Sequence, residues 1–288
     1  MSLIKVRDLS YSYSNSLPTP VAAISDVNID IESGEIIGVI GHTGSGKSTL
    51  VQHLNGLLRP SSGRIFIDGE DIWSKPKEIK KIRQKVGLVF QYPEYQLFED
   101  TVYADIAFGP KNMGINGKEL DECVINAAKT VGLKDELLDK SPFDLSGGEK
   151  RRAAIAGVIA MNPQVLIFDE PTAGLDPIGR QGILDIVKAC RQNGATVIMV
   201  SHSMDDIAAV ADRILVLNKG NVMMLDTVEN VFKNSHALHE IGLNVPNITK
   251  VFLKLKKQGI DIPTDVYTME HAVQVLLDYK RNGGGMNA

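Results

Sequence analysis

The segment GHTGSGKST, residues 41–49, restricts this chain more than any other feature. It fits the pattern G-x-x-x-x-G-K-[ST] through Gly41, Gly46, Lys47 and Ser48, with the apolar run EIIGVI in front and a helical pattern behind. A strand, a glycine turn and a helix in that order converge successive backbone N–H groups, and the positive end of the helix, on one point suited to phosphate oxygens. Thr43, Gly44, Ser45 and Thr49 complete the expected phosphate cradle. Lys47 is expected to reach the β- and γ-phosphates, and Ser48 to ligate Mg²⁺.

The surrounding chain reads as an α/β protein. Runs rich in Val and Ile, namely EIIGVIG (35–41), KVGLVFQ (85–91), VLIFDE (165–170) and TVIMVS (196–201), show no polar alternation, which predicts a mostly parallel core sheet covered on both faces. Three earlier segments, IKVRDLSYSY (4–13), VNIDIESGE (27–35) and GRIFIDGEDI (63–72), do alternate and predict an antiparallel β subdomain. Between about 92 and 161 helical patterns take over, GKELDECVINAAKTVGL (117–133) and GGEKRRAAIAGVIAM (147–161) among them, which predicts a helical insertion. The expected division is one large domain over 1–235 and a small C-terminal domain over 236–288, with two helical patterns around QGIDIPTD (258–265) and a Gly-rich tail, RNGGGMNA, expected to be disordered.

The strand VLIFDE carries Asp169 and Glu170 out of an apolar sheet at its carboxyl end, where nucleotide sites lie in such sheets. Alone, two acids there would more often cap a helix; beside a phosphate loop, Asp169 suits a Mg²⁺ role and Glu170 is placed to orient or deprotonate an attacking water.

LSGGE (145–149), Gln91 after VGLVF, and His202 in VSHSMDD add three further elements, and AGLD (173–176) joins them. With these the chain resembles an ATP-binding cassette ATPase of the P-loop NTPase class over about residues 3–235. The resemblance implies a head-to-tail dimer in which ATP lies between the phosphate loop of one subunit and Ser146, Gly147 and Gly148 of the other. It also implies that Gln91 senses Mg²⁺ and the attacking water, that His202 contacts the γ-phosphate, that Asp176 organises the interface, and that Tyr13 stacks on adenine. Tyr11 competes for that last role, since residues two apart on a strand share a face. Glu149 departs from the family pattern, where Gln is usual. It either turns back onto its own helix start as a capping box with Ser146 or weakens closure.

The stretch FQYPEYQLFEDTVYADIAFGPKNMG (90–114), with the C-terminal segment, is similar to ATPase subunits of energy-coupling factor transporters, most like the second of two paired ATPases. That likeness implies uptake of a vitamin or metal ion, with a second homologous ATPase in a hetero- or homodimer, a transmembrane scaffold subunit and a substrate-binding membrane subunit as partners, at the cytoplasmic side of the cell membrane. Tyr92, Tyr95, Leu97 and Phe98 are candidates for the docking groove, with packing inside the helical insertion as the alternative. A conventional ABC transporter ATPase, or a soluble cassette ATPase for iron–sulfur assembly, is the competing reading.

Charge and composition narrow the partners further. Lys and Arg number 31 against 35 Asp and Glu, so no overall basic field exists to hold nucleic acid. No run approaches the roughly 18 apolar residues of a membrane span. The two cysteines, Cys123 and Cys190, are too few and too isolated for a disulfide framework or a zinc site. The basic stretch KPKEIKKIRQK (75–85) reads as a solvated helix face before it reads as a lipid-binding one. Met223 and Met224 read as packing residues in an alternating strand.

Overall fold

The computed structural model describes residues 2–13 and 21–281; the expected tail beyond Arg281 lies outside them. Ten strands form two sheets among these residues. β1 (Ser2–Tyr13), β2 (Val21–Glu32), β4 (Ser62–Ile67) and β5 (Glu70–Asp71) make an antiparallel sheet in the order β2-β1-β4-β5. β3 (Ile36–Ile40), β6 (Val86–Val89), β7 (Val165–Asp169), β8 (Thr196–Val200), β9 (Arg213–Asn218) and β10 (Asn221–Thr227) make the second, ordered β10-β9-β3-β8-β7-β6. In it β9, β3, β8, β7 and β6 are parallel and only β10 runs antiparallel, against β9. The four strands expected for this sheet are all present, and β9, with no counterpart among the sequence expectations, lies beside β3 with Ile37 opposite Arg213.

The lack of alternation in the core strands follows from what lies on either face. Ile37, Val39, Ile167, Ile198 and Val200 point toward a core shared with β1, β2, β4 and the helix α1 (Lys47–Leu54). Ile36, Ile40, Leu166, Phe168, Val197 and Met199 point the other way, toward the helices. Both sides are therefore apolar, as a parallel sheet covered on two faces demands. In the antiparallel sheet, β1 breaks register between Val6 and Leu9 at a bulge where Asp8 has φ 50°, and Gly63 of β4 closes on it: a Cβ there would stand 2.4 Å from the Asp8 carbonyl oxygen.

The helices are α2 (Ile79–Lys85), α3 (Val102–Asn112), α4 (Gly117–Val131), α5 (Gly147–Ile159), α6 (Pro177–Gln192), α7 (Met204–Val210), α8 (Val228–Lys233), α9 (Ser235–Glu240), α10 (Asn247–Lys257) and α11 (Met269–Arg281). Their starts follow local chemistry: Thr101, Ser146, Asp176, Ser203 and Thr227 each accept a backbone N–H from the first turn of α3, α5, α6, α7 and α8. On α2 only Ile82 is buried, and Lys81 and Lys85 pair with Glu78 and Glu70, a solvated basic face. Leu238, Leu243 and Val245 join the larger core, whereas Phe252, Ile262, Val266 and Ala272 form a small core of their own. Met224 packs on the larger core, but Met223 is exposed. Cys123 and Cys190 are both free thiols.

Candidate functional site

A cleft of about 550 Å³ opens at the carboxyl ends of β3, β6, β7 and β8. Each strand delivers its following loop there: Gly41–Thr49 after β3, Gln91 after β6, Asp169 and Glu170 at the end of β7, and His202 after β8. This is the edge at which open α/β sheets bind nucleotides. The phosphate-loop residues and those expected to hold Mg²⁺ and the attacking water therefore line one cavity, apart from Ser45, which is buried inside the loop.

The loop itself can fold only with glycine at its pivot. Gly46 has φ 101°, and a Cβ on it would lie 2.6 Å from the Ala23 carbonyl oxygen and 2.7 Å from Ile24 Cγ2. As the N-cap of α1 it offers no side-chain acceptor, so the first N–H groups of α1 are left for an external anion. Ser45 is buried and its hydroxyl has no hydrogen-bond partner, an orphaned polar group inside the cradle. Lys47 Nζ donates to the carbonyls of Gly41 at 2.6 Å and His42 at 2.9 Å, folded back over its own loop. Burial pulls the Lys47 ammonium below its ordinary pKa, and the nearby carboxylates of Glu170 and Asp169 oppose that pull.

Asp169 shows the complementary shift. Burial lifts its carboxyl above the ordinary value, against the lowering effects of a hydrogen bond from Ser48 and the charge of Lys47. Ser48, Asp169 and Gln91 present only hard oxygen donors suited to Mg²⁺. Among the described residues no group of three or more His, Cys, Asp or Glu could cage a metal alone. The donor set thus fits an ion that keeps several waters and takes its other ligands from substrate phosphates.

Glu170 sits at φ 51°, outside the strand region, where its backbone N–H still donates to the Val200 carbonyl at 3.0 Å. Its Oε2 accepts from His202 Nδ1 at 2.7 Å, so the two groups expected near the γ-phosphate already touch each other. The His202 loop is fixed from behind: buried Asp206 accepts from Thr172 Oγ1 at 2.7 Å and from Arg180, which also reaches Ser203. Beside α1, the Tyr13 ring is exposed and its hydroxyl lies 3.1 Å from Thr49 Oγ1. Tyr11 packs edge-on against both buried His53 and Tyr13, with centroids 4.7 and 5.0 Å apart, and Tyr13 is the more exposed of the two tyrosine rings.

The signature residues stand elsewhere. None of Ser146, Gly147 and Gly148 lines the cleft, and a Cβ on either glycine would meet nothing within 4 Å. Glu149 turns back on its own helix: its Oε2 accepts the Ser146 N–H at 2.9 Å and lies 2.6 Å from Ser146 Oγ, the reciprocal capping box. These bonds from Ser146 hold its carboxyl below the ordinary value. Asp176 caps α6 by accepting the Gly179 N–H at 2.7 Å.

Two features escaped the sequence reading. Arg151 of α5 is buried and forks onto Glu94, three residues past Gln91, at 2.9 and 2.7 Å, while donating to the Pro171 and Ala173 carbonyls just beyond Glu170. Gly242, Leu243 and Asn244 line the cleft although they lie about two hundred residues after the phosphate loop, and no local pattern announces them. Separately, an apolar groove of about 630 Å³ includes Leu97, Phe98, Phe108, Met113 and Met161, with Lys80 and Arg83 at its side. Of the four docking candidates only Leu97 and Phe98 line it; Tyr92 packs against Tyr95 and lies under the Arg151 guanidinium.

Residues 24–173 match the ABC transporter family. Over 279 residues the chain is 52% identical to the energy-coupling factor transporter ATP-binding protein EcfA2 of Caldanaerobacter subterraneus subsp. tengcongensis, covering 96% of this chain and 98% of that one. The protein of that name from Clostridium perfringens is 50% identical over 281 residues, 97% of this chain and 99% of its own. Among solved structures, cbiO1 of Clostridium perfringens, described as part of the ABC transporter complex cbiONQ, superimposes with a TM-score of 0.75 at 39% identity over 87% of this chain and 98% of that one. The ATP-binding cassette MJ0796, solved as a dimer with ADP and Pi, gives 0.69 at 28% identity over 78% and 98%. With the phosphate loop, Asp169, Glu170 and His202 gathered at one sheet edge, these likenesses place the chain in the ABC transporter family, as an ATP-hydrolysing subunit of the energy-coupling factor type.

Proposed function

We propose that this subunit works as one half of a head-to-tail ATPase pair, drawing its second wall from the LSGGE segment of a homologous partner. The observation that carries this reading is the divided site: the cleft holds Lys47, Asp169, Glu170, Gln91 and His202, while Ser146–Gly148 sit at an open helix start outside it. That helix start offers free N–H groups and a positive end, the chemistry needed to complete an anion site from across an interface.

In the paired state the phosphates take over Lys47 from the carbonyls of Gly41 and His42. Glu170 accepts the proton of the attacking water, and His202 steadies its carboxylate through Nδ1. Ser48, Asp169 and Gln91 would hold Mg²⁺, which when bound supplies charge neutralisation at the phosphate oxygens. The cassette spans 1–235 in this reading, with 236–288 as an appended C-terminal domain; the small core around Phe252 supports the latter.

No helix among the described residues is long and apolar enough to cross a membrane. Transport then needs separate membrane subunits, and the groove beside Phe98 suits their coupling helices: an apolar floor, an exposed aromatic pair of Phe98 and Phe108 at 4.9 Å, and a wall, Gln96–Phe98, from the segment that follows Gln91. We assign the subunit to the cytoplasmic face of the cell membrane, with a transmembrane scaffold subunit and a substrate-binding membrane subunit, importing a vitamin or a metal ion. The test is Glu170→Gln with ATP and Mg²⁺. Size-exclusion chromatography should show a trapped pair, alone or with the homologous ATPase, and a variant that turns over normally or stays monomeric with both refutes the reading.

A further inference from the structure

The wall of the cleft contributed from the far end of the chain is a strap held at both ends. At one end His42, inside the phosphate loop, donates its Nε2–H to the Ile241 carbonyl, and its ring lies so near Gly242 that a Cβ there would stand 2.8 Å from Nε2. At the other end Asp205, in the first turn of α7 and three residues past His202, accepts the Asn247 N–H at 2.8 Å and its side-chain amide at 2.7 Å. Between the anchors Leu243, Val245 and Pro246 are buried, so the strap cannot drift without opening the core. Asn244 is exposed, lines the cleft, and its amide makes no hydrogen bond among the described residues.

A free amide fits this cavity better than another cation would. Lys47 is already balanced against Asp169 and Glu170, and an amide adds two N–H donors for phosphate oxygens without adding charge. We propose that Asn244 is a nucleotide-contacting residue supplied by the C-terminal segment, its side-chain amide donating to the phosphate chain of ATP, with the strap 241–247 positioning it through His42 and Asp205. This rests on the reading that the triphosphate lies in the cleft.

Calorimetric titration of the full chain with ATP and Mg²⁺ tests it, comparing Asn244→Ala, Asn244→Asp and Lys47→Ala, with thermal unfolding measured without nucleotide. Losing one hydrogen bond to a charged group should weaken ATP binding about tenfold in Asn244→Ala. Asn244→Asp keeps the size but sets a carboxylate against phosphate, so its loss should be larger and should shrink with added salt. Melting of the nucleotide-free protein should not move in either. Unchanged ATP affinity in Asn244→Asp, with binding abolished in Lys47→Ala, overturns the role of Asn244 and leaves the cleft as the nucleotide site. Unchanged affinity in Lys47→Ala refutes the cleft itself.

Discussion

Removing the carboxylate of Glu94 should be among the most destabilising single changes outside the hydrophobic core. The Arg151 side chain is 4% exposed and that of Glu94 17%, and the guanidinium spends four contacts on Glu94 and the carbonyls of Pro171 and Ala173. In Glu94→Ala the cation stays buried with only the two carbonyls to face it, and breaking a buried pair from one side costs about 3–5 kcal/mol. Replacing both partners by apolar residues of similar volume, Glu94→Leu with Arg151→Met, removes the stranded charge and should lie closer to wild type than either single change. Urea unfolding at constant slope gives the four corners of the cycle. A loss below about 1 kcal/mol in Glu94→Ala, or a double variant equal to the sum of the singles, would refute the argument.

The same pair makes a pH prediction. Burial would raise the Glu94 carboxyl, but the hydrogen bonds and charge of Arg151 outweigh it and hold the group below its ordinary value. The folded chain then binds that proton less tightly than the unfolded chain. Its stabilisation is present above the ordinary carboxylate range and lost as pH falls through the depressed folded value. Glu94→Gln should flatten that part of the acid-unfolding profile.

Lys47→Ala should abolish high-affinity ATP binding, read by calorimetry, while leaving the fold intact, because its hydrogen bonds among the described residues go to two carbonyls of its own loop. Gly46→Ala should do so with loss of stability, since its Cβ would meet backbone at 2.6 Å in a conformation with φ 101°; a melting temperature equal to wild type would count against that. Glu149→Gln keeps an oxygen to accept the Ser146 N–H while removing charge from the helix start, so ATP-driven pairing should tighten with only a small fall in melting; weaker pairing would show that the carboxylate is needed. Phe98→Asp should prevent co-purification with membrane subunits from detergent extracts yet spare ATP affinity, and intact co-purification would remove the groove from the docking account.

What the sequence revealed, and what it hid, divides along contiguity. The phosphate loop is legible because nine consecutive residues carry its chemistry, and β3, β7 and β8 are legible because burial on both faces writes an unbroken apolar run. β9 is made of the same stuff, RILVLN, but its run of four apolar residues does not by itself tell a strand from part of a helix; pairing with β3 decides it. Glu94 and Arg151 are 57 positions apart and read singly as surface charges, so only their burial reveals a structural pair. His42 with Ile241 and Asp205 with Asn247 are hidden in the same way, at separations of 199 and 42. These three links share a property that the legible motifs lack: each ties together segments distant in the chain that the sheet alone would leave independent. Arg151 is the clearest case, because one rigid guanidinium is bonded both to the segment that leads from Gln91 into the Phe98 groove and to the backbone just past Glu170. A docked partner that shifts Glu94 must either carry the Pro171–Ala173 backbone with it or break a desolvated ion pair, and the second course costs about 3–5 kcal/mol.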